Sequence, residues 1–455
     1  MRASAKKRAH LCAGVLTSLI IAACGGGGGS NGNVAACGVN VQQQAILDIM
    51  TEWYFFNDDP EQQQKYTGLD LNDFSTPDEL LTFLRFRPQE FDRNFTFQTT
   101  PAADQQFFGE GQFIGFGFGS KFVDTPANTD LRLTQVFPGS PAEAAGFRRG
   151  FRVLEIDGRS IAEINQAEGL SVALGPAEVG VTLTFGLRDL AGGEFEVAVS
   201  KALITIDPIP FATVFDVNAT PVGYLDMRTF ISTADAELDQ IFASFEAQGV
   251  AALVVDLRYN GGGVLSTAER LADLVGGFIA AGQVASETRY NSAKTALNTI
   301  DTFEQRAGSL SLLQQVVFIT TGSSASASEL IINSLRPHTV VTLVGESTFG
   351  KPVGQSGFPY CSDERLLRPV TFEVVNALGE GQFFDGLPAD CVASDELALG
   401  LGDPAEESLA SALSVIETGA CPAPSGSLKF TPGALTSEIV LPAGAPAAQR
   451  FLGAF

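Results

Sequence analysis

Between Val41 and about Pro88, apolar residues recur at helical spacing: Val41, Ala45, Ile46, Ile49, Met50 and Trp53, then Leu80, Leu81 and Leu84. This predicts helices with one buried face. Ser75-Thr76-Pro77-Asp78-Glu79 predicts the start of the second, with a capping side chain, Pro in the first turn and acids at the positive end of the dipole. The run Trp53, Tyr54, Phe55, Phe56 reads as core packing. Over 111–206 the pattern changes to short alternating runs such as 131–136 and 181–185, punctuated by Gly and Pro, which predicts a β-rich module. From Tyr224 apolar strands alternate with amphipathic helices, the pattern of an α/β domain with parallel pairing. The predicted elements are a helix over 235–248 closed by Gly249, a strand over 250–255, a glycine turn to Gly263 and a helix to about Val275. The unit then recurs: a strand over 316–320, a turn to Ser326, a helix over 327–335 stopped near Pro337, and a strand over 339–344.

The start of the chain is of another kind. Arg2, Lys6, Lys7 and Arg8 precede an apolar stretch over 11–23 that is too short to span a bilayer, the arrangement of a signal peptide. It ends Ile21-Ala22-Ala23-Cys24, which resembles the lipobox of bacterial lipoproteins and implies lipidation of Cys24. Gly25 to Gly29 then form a tether that cannot bury apolar surface. The expected layout is a signal peptide over 1–23, a tether over 24–40, an N-terminal helical domain over 41–110, the β-rich domain over 111–206, the α/β domain over 207–422, and a Pro-, Gly- and Ala-rich tail over 423–455 with no structure assigned. The expected location is the periplasmic side of a membrane, the outer rather than the inner, held by the lipid on Cys24.

Charge narrows the partners. Lys and Arg number 28 against 52 Asp and Glu, for a formal net charge of −24, and four of the basic residues lie in the leader. Such a field repels nucleic acid and anionic headgroups. Cys37, Cys361, Cys391 and Cys421 remain in the body, an even number that suggests disulfides in an exported chain. The expected pairing is Cys361 with Cys391 and Cys37 with Cys421. No Cys-x-x-Cys supports a zinc site.

Within the β-rich module, Gly139-Ser-Pro-Ala-Glu-Ala-Ala-Gly146 followed by Arg152-Val-Leu-Glu-Ile-Asp-Gly158 resembles a PDZ domain, with Phe151 where such domains usually carry Asp. PDZ domains take a peptide C-terminus as an added strand, its carboxylate on backbone N–H groups of a glycine-rich loop. Ile114-Gly115-Phe116-Gly117 is the matching loop.

The candidate chemistry lies in the α/β domain. Ser323-Ser-Ala-Ser-Ala-Ser-Glu329 is a strand-to-helix turn of small residues, which exposes unpaired N–H groups at a helix start. A serine nucleophile needs a base. His10 lies in the leader and His338 follows the helix after Ser326, roughly 15 Å away along a ten-residue helix, so it is read as a surface or capping residue. Lys can act as the base where burial lowers its pKa. Lys351, in Gly345-Glu-Ser-Thr-Phe-Gly-Lys351, lies past the carboxyl end of the next strand, the edge where α/β sites form.

Three blocks, Asp256-Leu-Arg-Tyr-Asn-Gly-Gly-Gly263, Ser324-Ala-Ser-Ala-Ser-Glu329 and Gly345-Glu-Ser-Thr-Phe-Gly-Lys-Pro-Val-Gly-Gln355, in this order after a PDZ-like module, resemble the carboxyl-terminal processing (tail-specific) serine peptidases over about 41–420. The resemblance implies a multidomain α/β architecture: a crotonase-like ββα peptidase domain with an inserted β-rich PDZ domain and an N-terminal helical domain. It implies Ser326 as nucleophile, Lys351 as base and Gln355 as the residue orienting the base. It places the oxyanion on the N–H groups of Ala327 and Gly262, with no metal or organic cofactor. Gly261 stands where the family usually has Pro, and Pro352 where it usually has Gly. The implied partners are proteins or peptides with accessible apolar C-termini. A non-catalytic protein of the same fold that binds peptides or apolar ligands is the alternative.

Overall fold

The computed structural model describes residues 37–422. The expected signal peptide, the acylated Cys24, most of the tether and the tail over 423–455 lie outside the described residues. Among those described, no helix is long and apolar enough to cross a membrane.

The helical region consists of Val39–Trp53, Pro60–Tyr66 and Pro77–Leu84. The predicted cap of the last is present: Thr76 Oγ1 accepts from Glu79 N at 3.2 Å and Glu79 Oε2 accepts from Ser75 N at 2.7 Å. Its apolar face does not close on itself. Ile46, Met50, Leu80, Leu84 and Phe95 share one core with Val353, Tyr360, Leu367 and Val370. The strand Phe97–Thr99 also pairs antiparallel with Arg365–Arg368. Residues 41–110 are thus built into the α/β region rather than folded as a separate body.

The β-rich module runs in the strand order Phe118–Phe122, Leu131–Val136, Arg152–Ile156, Thr182–Arg188, Glu194–Ser200. It has its own core around Phe116, Leu133, Phe147, Ile156 and Phe185. Gln112–Gly115 and Ala202–Thr205, where the chain enters and leaves, pair antiparallel.

Among the described residues, the α/β region is centred on a six-stranded sheet in the order Phe211–Val217, Thr220–Asp226, Ala252–Asp256, Gln315–Thr320, Val340–Gly345, Cys391–Val392. The first pair is antiparallel and the rest are parallel. Helices Asp235–Ala247, Leu265–Gly276 and Ala327–Leu335 contribute to the core on one face. On the other face Glu407–Thr418 packs Leu409, Ala412 and Val415 over Val254, Val317 and Val344.

That last helix returns the chain to the edge of the sheet, where Cys421 is bonded to Cys391 with their Cα atoms 5.3 Å apart. The expected pairing of Cys361 with Cys391 and of Cys37 with Cys421, which would tie the two ends of the body together, is therefore corrected, because it took no account of this helix. Cys37 and Cys361 are also disulfide-bonded.

Candidate active site

Ser326 caps helix Ala327–Leu335 with φ 57° and ψ −113°. A non-glycine residue in this region costs on the order of 1–3 kcal/mol and persists only where its surroundings hold it. Glu329 does the holding. Its Oε2 accepts from Ser326 N at 2.9 Å and Lys351 N at 2.8 Å, and its Oε1 from Thr348 Oγ1 at 2.5 Å and Gly350 N at 2.6 Å. One fully buried carboxylate thus ties the serine turn to the lysine turn. Burial pushes its pKa up against these four hydrogen bonds.

The turn contains three other serines, and two of them are spent on structure. Ser324 is fully buried and donates to Leu257 O at 2.6 Å, and Ser328, equally buried, donates to Asn260 O at 2.9 Å. Ser326 instead lines a cavity of about 280 Å³, together with Ala327, Lys351 and Gln355. The Ala327 N–H, in the first turn of the helix, has no acceptor among the described residues.

The glycine turn packs against this elbow. A Cβ at Gly262 would lie 2.8 Å from Ser326 Cβ and 2.9 Å from Ala327 N, so only glycine permits the approach. Its expected role as an oxyanion donor is corrected, because Gly262 N donates to Asn260 Oδ1 at 2.9 Å. Its carbonyl accepts from Phe230 N at 3.0 Å. Across the planar trans peptide that follows, the Gly263 N–H therefore points away from Phe230. That N–H has no acceptor among the described residues, and Gly261 and Gly263 line the cavity. Behind the turn, Arg258 is fully buried between Asp256 and Glu406 at 2.6 and 2.7 Å. It fixes the strand end from which the turn springs.

Lys351 is 3% exposed. Its Nζ donates to Gln355 Oε1 at 2.8 Å, and Gln355 Nε2 donates to Phe95 O at 2.6 Å. The Nζ also lies 5.3 Å from the centre of the Phe95 ring. Burial lowers its pKa from 10.5 to about 7, against the charges of Asp92 and Glu329, which raise it. Both dyad candidates and Gln355 are thus brought to one cavity. Val264, Leu265, Leu330, Val374 and Phe383 give its lining an apolar part.

His338 Nε2–H donates to Val284 O at 2.9 Å, and the ring packs edge-on against Phe303, as a structural residue does. In the β-rich module, Ile114 and Gly115 end the strand that enters it, Phe116 is fully buried, and Gly117 has φ 94° with Ser140 beneath it. The sequence reading gave no role to Glu329, Arg93 or Phe95. The Ser-x-x-Glu spacing of a capping box could have marked Glu329; nothing local marks the other two.

The region that carries this cavity is similar to known proteins. Residues 221–392 match the model of peptidase family S41. The chain is 25% identical over 255 residues to the chloroplastic C-terminal processing peptidase of Tetradesmus obliquus, covering 54% of this chain and 53% of that one. It is 26% identical over 263 residues to a carboxy-terminal-processing protease of Bartonella bacilliformis, covering 56% and 57%. The chain thus spans about half the length of the curated relatives it matches. The crystal structure of an S41 protease candidate from Bacteroides fragilis NCTC 9343 shares the fold, with TM-score 0.64 and 22% identity over 83% of this chain and 97% of that one. The α/β region that carries Ser326 and Lys351 is therefore similar, over residues 221–392, to peptidase family S41.

Proposed function

We propose that this protein is a serine endopeptidase that cleaves exported proteins by acyl transfer, with Ser326 and Lys351 as a dyad. The observation that carries the reading is a lysine buried beside the serine's cavity with its pKa lowered to about 7, since a base works best when its pKa lies near the operating pH. Neutral Lys351 takes the proton of Ser326 Oγ, and Oγ bonds to the carbonyl carbon of the scissile peptide. The oxyanion is held by the N–H groups of Ala327 and Gly263. Collapse breaks the C–N bond, the leaving amine takes the proton from Lys351, and water hydrolyses the acyl-serine by the same base. Gln355 fixes the amine's direction. The apolar part of the cavity lining suits an apolar side chain at the cleaved bond.

The β-rich module is, in this proposal, a PDZ domain inserted ahead of a crotonase-like peptidase core. Phe118–Phe122 lies at the end of its sheet and offers an edge on which a peptide C-terminus can add as a strand. Ile114, Gly115, Phe116 and Gly117 form the loop for its carboxylate. The substrates are then proteins with accessible apolar C-termini. The leader and Cys24 support export and lipid anchoring on the periplasmic side of a membrane.

The test is hydrolysis of an unfolded protein with an apolar C-terminus by the mature body, beside Ser326→Ala, Lys351→Ala and Ser324→Ala. Loss in the first two with Ser324→Ala active is expected. Cleavage that survives Ser326→Ala sinks the mechanism, and a parent that binds the peptide without cutting it makes the chain a binding protein of this fold.

A further inference from the structure

The stretch Asp92–Phe95 reaches the Lys351 turn from more than 250 residues away in sequence and grips it at both ends. On the near side, Arg93 Nη2 donates to Phe349 O at 2.8 Å, Gly350 O at 2.5 Å and Phe384 O at 3.0 Å, with its guanidinium 4.4 Å over the Phe349 ring. On the far side, Phe95 O accepts from Gln355 Nε2, the amide whose oxygen receives Lys351 Nζ. The Phe95 ring, 2% exposed, covers the amine itself. Asp92 anchors the stretch, since its carboxylate accepts from Tyr54 Oη at 2.6 Å and Thr96 N at 2.9 Å.

We propose that Phe95, carried by the N-terminal helical region, is a positioning residue for the reaction: its ring keeps water from the Lys351 amine and its carbonyl holds Gln355 in the orientation that aims that amine. The inference rests on the reading of Lys351 as base. The amine loses its hydration shell to an aromatic face on one side and the Gln355 oxygen on another, and a desolvated ammonium gives up its proton more readily. The charged groups around it do not produce the same effect. Asp92 and Glu329 favour the ammonium, Arg368 opposes it, and burial outweighs them. The helical region is then part of the catalytic device, which accounts for its sharing a core with Val353 and Val370.

The test follows the rate at which a fluorophosphonate probe labels the serine, as a function of pH, in the full mature chain. This readout needs no peptide docking. The parent is expected to show a rise with a midpoint near the Lys351 pKa of about 7, lost in Lys351→Ala. Phe95→Leu moves the midpoint up by about one unit and Phe95→Ala by more, with about fivefold slower labelling at pH 7 for the first unit and recovery in alkaline buffer. Tyr360→Phe, in the same core but bonded to Gln98, leaves the midpoint in place and controls for general damage. If Phe95→Ala does not fold, Phe95→Leu decides. A midpoint unchanged in a folded Phe95 variant overturns the inference. A parent without the rise, or a rise that survives Lys351→Ala, overturns the dyad reading instead.

Discussion

Replacing Lys351, the proposed base, should make the protein more stable. Lys351 is 3% exposed and its pKa falls from 10.5 to about 7 on folding, with burial the largest cause. At about 1.4 kcal/mol per unit, holding the ammonium form in the folded state costs roughly 5 kcal/mol below neutral pH. The folded state binds fewer protons than the unfolded state between those two pKa values. Stability therefore rises with pH across that window, and the penalty is complete below it. Lys351→Met keeps an unbranched chain and removes the charge. It also leaves Gln355 Oε1 without its donor, at a cost of about 1–3 kcal/mol. The net expectation is a gain of about 2–4 kcal/mol in mildly acidic buffer, shrinking to nothing or reversing in alkaline buffer. Urea unfolding of parent and variant at about pH 6 and about pH 9.5 reads both values. Lys201, also lowered by burial, to about 8, titrates in both proteins and cancels in the difference. A variant no more stable than its parent at the acidic end, or a difference that does not change with pH, refutes the argument that burial neutralises the lysine.

Two further changes probe the frame around the dyad. Gly263→Ala places a Cβ 1.9 Å from Phe230 O at φ 142°, so the glycine turn must shift; probe labelling of Ser326 should fall by at least about 100-fold, and a variant that labels at the parent rate shows that the Gly263 N–H takes no part. Cys421→Ser opens a bridge with a sequence separation of 30, a loss of about 3–4 kcal/mol by loop entropy, read as a lower thermal midpoint; an unchanged midpoint shows that Glu407–Thr418 is held by its packing alone.

Much of the α/β frame was legible because its elements are local. The helix expected over 235–248 is Asp235–Ala247, with Gly249 at φ 69°, and the helix expected over 327–335 is Ala327–Leu335. Glu407–Thr418 went unread, and with it the disulfide, because a cysteine's partner depends on where the intervening chain returns. Gly262 was misassigned for a related reason. Three consecutive glycines look alike in sequence, and only the Asn260 side chain, which takes the Gly262 N–H, removes that amide from the candidates.

The base shows how far local pattern reaches. A lysine in a glycine-rich turn past a strand end can be named as a candidate from its neighbours, and the family resemblance names the same residue. Its strength as the proposed base depends on desolvation by the Phe95 ring and on a turn that Glu329 holds through the Gly350 and Lys351 amides. Neither acts through adjacency in the chain. The same holds for the serine: a strained φ of 57° is tolerable only because Glu329, three residues on, is held by Thr348 and Gly350. The proposed nucleophile and base therefore share one buried carboxylate as their common support. A change at Glu329 must disturb both turns together, whereas a change at Phe95 reaches the serine, in the proposed dyad, only through the proton that Lys351 accepts.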